Sequence, residues 1–171
     1  GYTSEYDISL KSGSGVIEHL DKNKFTSYPV RINKSGWTVQ IGSDWLPLDQ
    51  KSFKCGSLNF DVVFNAVHGA PGENGELQAY FDNLGIPYTG CSAKTSALTY
   101  NKSKTLDFLQ PHGIAMAQRM VLSKAQNIDA ESIVKKVGMP CFVKANQAGS
   151  SFGVSKVYHN HELSGAIEKA L

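Results

Sequence analysis

Residues 60–67 are apolar at almost every position and run directly into polar, glycine-rich sequence. Such a run, hydrophobic on both faces, predicts a strand covered by helices on two sides. After the loop that follows it, Leu77, Tyr80, Phe81 and Leu84 recur at helical spacing, and Gly85 is suited to end that helix. Upstream, Leu10, Ile17 and Leu20 mark one face of a helix over about residues 7–21. Tyr28, Val30 and Ile32 alternate as in a strand, and Lys34-Ser35-Gly36 turns the chain toward a partner strand over 37–41. Downstream, Leu98, Leu106 and Leu109 suggest helices before a Pro111-His112-Gly113 break. The pattern then predicts a strand at 120–122, a helix through Ile133, Val134 and Val137, and a strand at 141–144. A polar loop over 146–153, a strand at 154–158 and a helix through Leu163, Ile167 and Leu171 complete it. This alternation predicts the α/β class, with a mostly parallel sheet flanked by helices in the N-terminal part.

At 171 residues the chain is long enough for one large domain or two small ones, each with its own core. A net charge of +2, with both signs interspersed, argues against a dedicated nucleic-acid surface. No apolar run approaches the roughly 20 residues of a membrane span. Cys55, Cys91 and Cys141 lie far apart, outside any metal-binding spacing, and read as buried small hydrophobes in a reducing compartment.

The sharpest candidate chemistry lies at His68-Gly69-Ala70-Pro71-Gly72-Glu73-Asn74-Gly75-Glu76-Leu77-Gln78, where a buried strand empties into a helix. Open α/β sheets bind ligands at such carboxyl-end crevices. His68 is either a structural residue there or a member of a site; Glu73 and Asn74 read as anchors of the turn. Lys144 ends an apolar strand and is either solvated or meets an anion. Gly149-Ser150-Ser151-Phe152-Gly153 just beyond it offers backbone N–H groups and hydroxyls for phosphate, although it is not a Walker A loop. Lys102 stands at a helix start, where a cation is mildly unfavourable unless an anion is bound. Thr3, Ser4, Glu5 and Asp7 read as ordinary capping chemistry before the first helix. His19, His112, His159 and His161 fit exposed or loop positions.

Taken together, these segments resemble the D-alanine–D-alanine ligases of the ATP-grasp superfamily. His68 through Gln78 is similar to the family's HG-x-x-GE-[DN]-G-x-x-Q signature, and Thr3 through Leu10 to its N-terminal TSE…SL segment. Tyr88-Thr89-Gly90, Tyr100-Asn101-Lys102 and the stretch from Phe142 to Lys156 resemble three further elements in the family's order. One departure is Ala145, where many relatives carry proline.

The resemblance implies a substrate domain over 1–91 whose first strand is missing, then part of a central ATP-grasp nucleotide-binding domain over 92–171, with the C-terminal ATP-grasp domain absent. It implies ATP-dependent joining of two D-alanines through an acyl-phosphate, for peptidoglycan precursors, in the cytoplasm. Glu5 would receive the ammonium of the first D-alanine and be held by Ser150, with Asp7 a less well-spaced alternative. His68 would lie beside the first substrate, orienting it or stabilising charge rather than acting as general base. Lys102, Lys144, Ser150, Ser151 and Gly153 would contact the ATP phosphates. Mg²⁺ would be held by residues outside this chain, so the segment alone is expected not to turn over. A homodimer, with no nucleic-acid or membrane partner, completes the expectation. The rivals are a D-alanine–D-lactate or other ATP-grasp carboxylate–amine ligase, and a truncated, non-catalytic module that binds nucleotide or amino acid.

Overall fold

The computed structural model describes residues 1–124, 129–149 and 151–171. It divides into two compact units, Gly1–Ala97 and Leu98–Leu171.

In the first unit, helix α1 (Tyr6–His19) is followed by strands β1 (Val30–Asn33), β2 (Gly36–Ile41) and β3 (Asp44–Pro47). The three form an antiparallel sheet in the order β1-β2-β3, with Val30 opposite Val39 and Val39 opposite Leu46. Alternation along β2 sends Trp37 and Val39 into the core, where they meet Ile32, Leu48, Phe53, Leu77 and Phe81. Leu77 and Phe81 come from helix α2 (Glu76–Leu84), whose apolar stripe is the one that the spacing predicts. Gly85 ends α2 in the left-handed region at φ 67°, its N–H donating to Asp82 O. Trp37, Phe53, Tyr80 and Phe81 pack edge to face, with ring centroids 5.0 to 6.2 Å apart. Burial within this cluster, with a smaller contribution from Asp49, pushes the Tyr80 phenol up to about 12.

The α/β class stands, but the pairing differs from the expected mostly parallel sheet. Among the described residues of this unit, parallel pairing is confined to one bridge, Val63 to Tyr88. Residues 60–67 form no continuous strand, and they are tied to residues 87–89 by Val63 N to Pro87 O, Thr89 N to Val63 O and Asn65 N to Thr89 Oγ1. Nor are they covered on both sides: Val62 and Phe64 are 52% and 58% exposed, while Val63 and Val67 pack on the core. An apolar run cannot reveal which of its faces is covered, because both read alike.

Helix α1 also departs from its pattern. Its buried residue is Ser9, and Leu10, Ile17 and Leu20 are only half-buried. Gly13 and Gly15 lie inside this helix with nothing within 4 Å of a Cβ added at either. Glycine is a weak helix residue because the unfolded chain loses more freedom there. Gly13→Ala is therefore expected to stabilise the first unit by about 0.5–1 kcal/mol in urea unfolding. An unchanged or lower midpoint would contradict the open surroundings of that position.

Helix α3 (Ala93–Tyr100) leads into the second unit, where α4 (Lys102–Leu109) continues into a short 3₁₀ turn, Gln110–His112, ended by Gly113. Then come α5 (Ala130–Val137), β4 (Cys141–Val143), β5 (Ser155–Val157) and α6 (Leu163–Ala170). The two strands pair antiparallel, Phe142 opposite Lys156. Ile133, Val157, Leu163, Ala166 and Ile167 form this unit's own core. The strand expected at 120–122 is not formed. Met120 and Leu122 pack on that core and Val121 is exposed, but no strand pairs there. Cys55 and Cys141 are half-buried free thiols, but Cys91 is exposed, against the expectation that all three are buried. Burial pushes the Cys141 thiol up.

Candidate functional site

The loop after the apolar run is built on backbone closure. Gly72 sits where an added Cβ would lie 2.0 Å from Val67 O, so the chain can fold back on itself only without a side chain. Asn65 Nδ2 and Gln78 Nε2 both donate to Gly72 O, at 2.8 and 2.6 Å. The final glutamine of the motif thus fastens the turn to the first helical turn of α2. Glu73 closes the neighbouring turn reciprocally, its N–H donating to Gly69 O and its carboxylate accepting from Gly69 N at 3.0 Å. Asn74 Oδ1 accepts from Glu76 N, which satisfies one of the unpaired donors at the start of α2. Glu73 and Asn74 therefore do anchor the turn, as read from the sequence.

This loop carries His68 to the helix opposite. Ser9 Oγ accepts from the His68 backbone N–H at 2.9 Å and donates to Glu5 O at 3.0 Å. The His68 ring meets Ser12 Oγ at Nε2, 2.9 Å away, while Nδ1 lies 3.9 Å from Glu73 Oε1. Glu5 occupies the N-cap position of α1, yet its side chain makes no capping hydrogen bond. Instead its carboxylate is carried beneath the loop, where a Cβ on Gly69 would come within 2.7 Å of Glu5 Oε2. Glu5 is only 3% exposed. A carboxylate buried at that depth is held by polar partners, and such positions favour recognition of a cationic group. Asp7, the alternative acid, is exposed. Glu5 and His68, both given site roles by the resemblance, thus stand in one small cluster.

The second unit builds a different cluster at the start of α4. Asn101 caps the helix, its Oδ1 accepting from Lys104 N at 3.0 Å and from Asn146 Nδ2 at 3.0 Å. Asn146 Oδ1 in turn accepts from Ser103 N at 2.9 Å, and Lys102 N donates to Asn146 O. The polar loop after β4 is thereby stitched to a helix N-terminus, the end of a helix that attracts anions. Lys102 Nζ donates to Ala148 O at 2.6 Å, which brings its ammonium onto the same loop. Lys144 is exposed beside the loop, its Nζ 5.5 Å from the Phe142 ring centroid. Ser151 and Gly153 both take positive φ, 61° and 67°, in a run of turns closed by Phe152 N to Gly149 O and Val154 N to Ser151 O. Ser150, expected to hold Glu5 and to contact phosphate, lies outside the described residues. Removing the double cap should be measurable: Asn146→Ala is expected to destabilise the second unit by about 1–2 kcal/mol and to speed amide exchange at Ser103. Unchanged exchange there would dismiss the stitch.

The other histidines, His19, His112, His159 and His161, are exposed, as expected. Among the described residues, no three His, Cys, Asp or Glu side chains group as a metal site. No helix among them is long and apolar enough to cross a membrane.

Comparison with known proteins matches residues 1–91 to the D-ala D-ala ligase N-terminus and residues 108–171 to the D-ala D-ala ligase C-terminus. The chain belongs to the D-alanine–D-alanine ligase family. It is similar to the D-alanine--D-alanine ligase of Flavobacterium johnsoniae, 47% identical over 99% of this chain and 54% of that protein. Among solved structures it is similar to the VanG D-Ala:D-Ser ligase of Enterococcus faecalis, with a TM-score of 0.76 and 32% identity, covering 99% of this chain and 57% of that one. It is also similar to the D-alanine--D-alanine ligase of Bacillus anthracis complexed with ATP, with a TM-score of 0.72 and 28% identity, covering 98% and 51%. The chain spans about half the length of the curated relatives it matches. Within the ligase family's two regions, Glu5 and His68 fall in the first and Lys144, Ser151 and Gly153 in the second; Lys102 lies between them.

Sequence reading did not single out Ser12, Asn101 or Asn146 as site residues. A signal for the serine existed: Ser9 and Ser12 lie one turn apart inside a helix, where serine is a poor choice unless its hydroxyl is used. Asn101 carried a signal too, an asparagine directly before the predicted helix start at Lys102, whereas Asn146 gives none, since its pairing is set by a loop that returns 45 residues later.

Proposed function

We propose that this chain provides the first-substrate and phosphate-binding parts of an ATP-dependent ligase that joins two D-alanines for peptidoglycan precursor synthesis in the cytoplasm. The observation that carries the reading is the buried Glu5 carboxylate against the His68–Glu73 loop, within a chain whose family is D-alanine–D-alanine ligase. In this reading residues 1–91 form the substrate domain and residues 92–171 part of the central nucleotide-binding domain.

Glu5 receives the substrate ammonium, a charge-assisted pairing that selects an amino acid over a simple acid. His68 stands beside it and orients the substrate or stabilises charge as the carboxylate becomes an acyl-phosphate. Lys102 and Lys144, with Ser150, Ser151, Gly153 and the backbone of the loop, bind the ATP phosphates; such catalysis is largely positioning and charge stabilisation. The ATP-bound structure of the Bacillus anthracis relative supports nucleotide use. A homodimer belongs to the same reading and is checked by sedimentation.

The second nucleophile is less narrowly supported, because a similar structure is a D-Ala:D-Ser ligase. The experiment is a titration of the chain with D-alanine, L-alanine and ATP, followed by amide chemical shifts. D-Alanine is expected to perturb Glu5, His68 and Gly69, and ATP to perturb Lys102, Lys144 and residues 151–153. No response to either ligand would overturn the proposal. ATP binding without D-alanine binding would instead favour a nucleotide-binding module. An ADP-release assay with D-alanine, in which the 171-residue chain is expected to be silent, accompanies it.

A further inference from the structure

We infer that Ser12 is a positioning residue for His68: its hydroxyl donates to Nε2 and, with Glu73 facing the other ring nitrogen, holds the imidazole as the Nδ1–H tautomer. The two distances are 2.9 Å from Ser12 Oγ to Nε2 and 3.9 Å from Nδ1 to Glu73 Oε1. A carboxylate can only accept or attract a proton, so the ring nitrogen turned toward Glu73 is the protonated one. At 3.9 Å this is the attraction of a carboxylate charge for an N–H dipole rather than a formed hydrogen bond. In a neutral imidazole the remaining nitrogen is then an acceptor, and its partner must donate. The Ser12 hydroxyl is the group in that position.

Two residues on α1 share the task. Ser9, one turn earlier, accepts from the His68 backbone N–H, so the helix grips His68 by main chain and by ring. Both serines are unfavourable in a helix interior, and Gly13 follows directly, so local propensity does not account for them. The chemical consequence is specific. With Nδ1 protonated and Nε2 already accepting, the resting ring offers no free lone pair. His68 therefore acts as a fixed polar group beside the substrate, and a ligand that needs Nε2 must first displace the Ser12 hydroxyl. Only the identity of that substrate rests on the ligase reading.

The test uses the chain with ¹⁵N-labelled histidine and long-range ¹H–¹⁵N correlation at neutral pH, without ligand. His68 is expected to show a protonated Nδ1 and a hydrogen-bonded, unprotonated Nε2, with the four exposed histidines as internal references. Ser12→Ala is expected to lower the ratio of Nδ1–H to Nε2–H tautomer by about 5- to 10-fold, the effect of losing one such bond. Ser12→Thr, which keeps the hydroxyl, should restore it. Should Ser12→Ala disturb the amide spectrum globally, Glu73→Gln gives the independent arm, with the ratio again falling toward Nε2–H. A protonated Nε2 in the unsubstituted chain would overturn the inference, as would a ratio that neither variant changes. Because no substrate is present, that failure is separable from a failure to bind D-alanine, which would count against the ligase reading alone.

Discussion

Gly72→Ala is expected to unfold the first unit or leave it marginal. The added methyl would fall 2.0 Å from Val67 O and 2.5 Å from Val67 Cβ, and neither is the yielding end of a flexible side chain. Overpacking usually costs about 1–3 kcal/mol when neighbours can shift. Here the shift would also pull Gly72 O away from Asn65 Nδ2 and Gln78 Nε2, two bonds that join the apolar run, the loop and α2. The buried Gln78 donor left unsatisfied adds about 1–3 kcal/mol, and the part-buried Asn65 donor adds less. The combined loss, about 4 kcal/mol or more, is a large share of the roughly 5–15 kcal/mol by which a domain is stable. Urea unfolding followed by fluorescence of Trp37, buried in the same unit, measures it. A midpoint within about 1 kcal/mol of the parent chain would mean that the loop tolerates a Cβ and that the close approach is not required.

The second large effect concerns recognition. Glu5→Gln keeps the shape of the side chain and removes its charge at a position that is 3% exposed. If Glu5 receives the substrate ammonium, D-alanine affinity is expected to fall about 30- to 100-fold, the range for losing a charge-assisted contact in a desolvated site. The unfolding free energy should fall by less than the binding free energy, because glutamine keeps the shape and an oxygen acceptor for the polar partners of this side chain, and the bonds from Ser9 N and Ser9 Oγ to Glu5 O are retained. Calorimetric titration with D-alanine, beside urea unfolding, distinguishes the outcomes. Unchanged affinity would remove Glu5 from the substrate site. A loss of stability matching the loss of affinity would make it a structural acid.

Much of this was legible along the chain because it depends on local periodicity. The α2 stripe of Leu77, Tyr80, Phe81 and Leu84, its Gly85 stop and the β1–β2 turn were each readable from neighbours in sequence. His68, Lys102 and Lys144 stood out for another reason, as side chains at element ends that packing does not explain, and the roles expected of them came from the resemblance. The expectation that residues 60–67 lie in a covered, parallel sheet was not met in that form. Apolar character says that a segment can be buried, but the covering elements are chosen by long-range pairing. Strand β3 was missed because Asp44–Pro47 is too short and too exposed to alternate clearly.

From the sequence alone came the order of elements, the glycine-rich loop that follows the apolar run, and the family to which these motifs belong. Those properties reside in short stretches, where spacing and backbone freedom are encoded residue by residue. Only the tertiary structure decided that Glu5 turns away from capping its own helix, that Ser9 and Ser12 reach 59 and 56 residues along the chain to His68, and that Asn146 caps a helix begun much earlier. These contacts join groups that are distant in the chain. Their partners are selected by the folding of each unit's core, which no local pattern records.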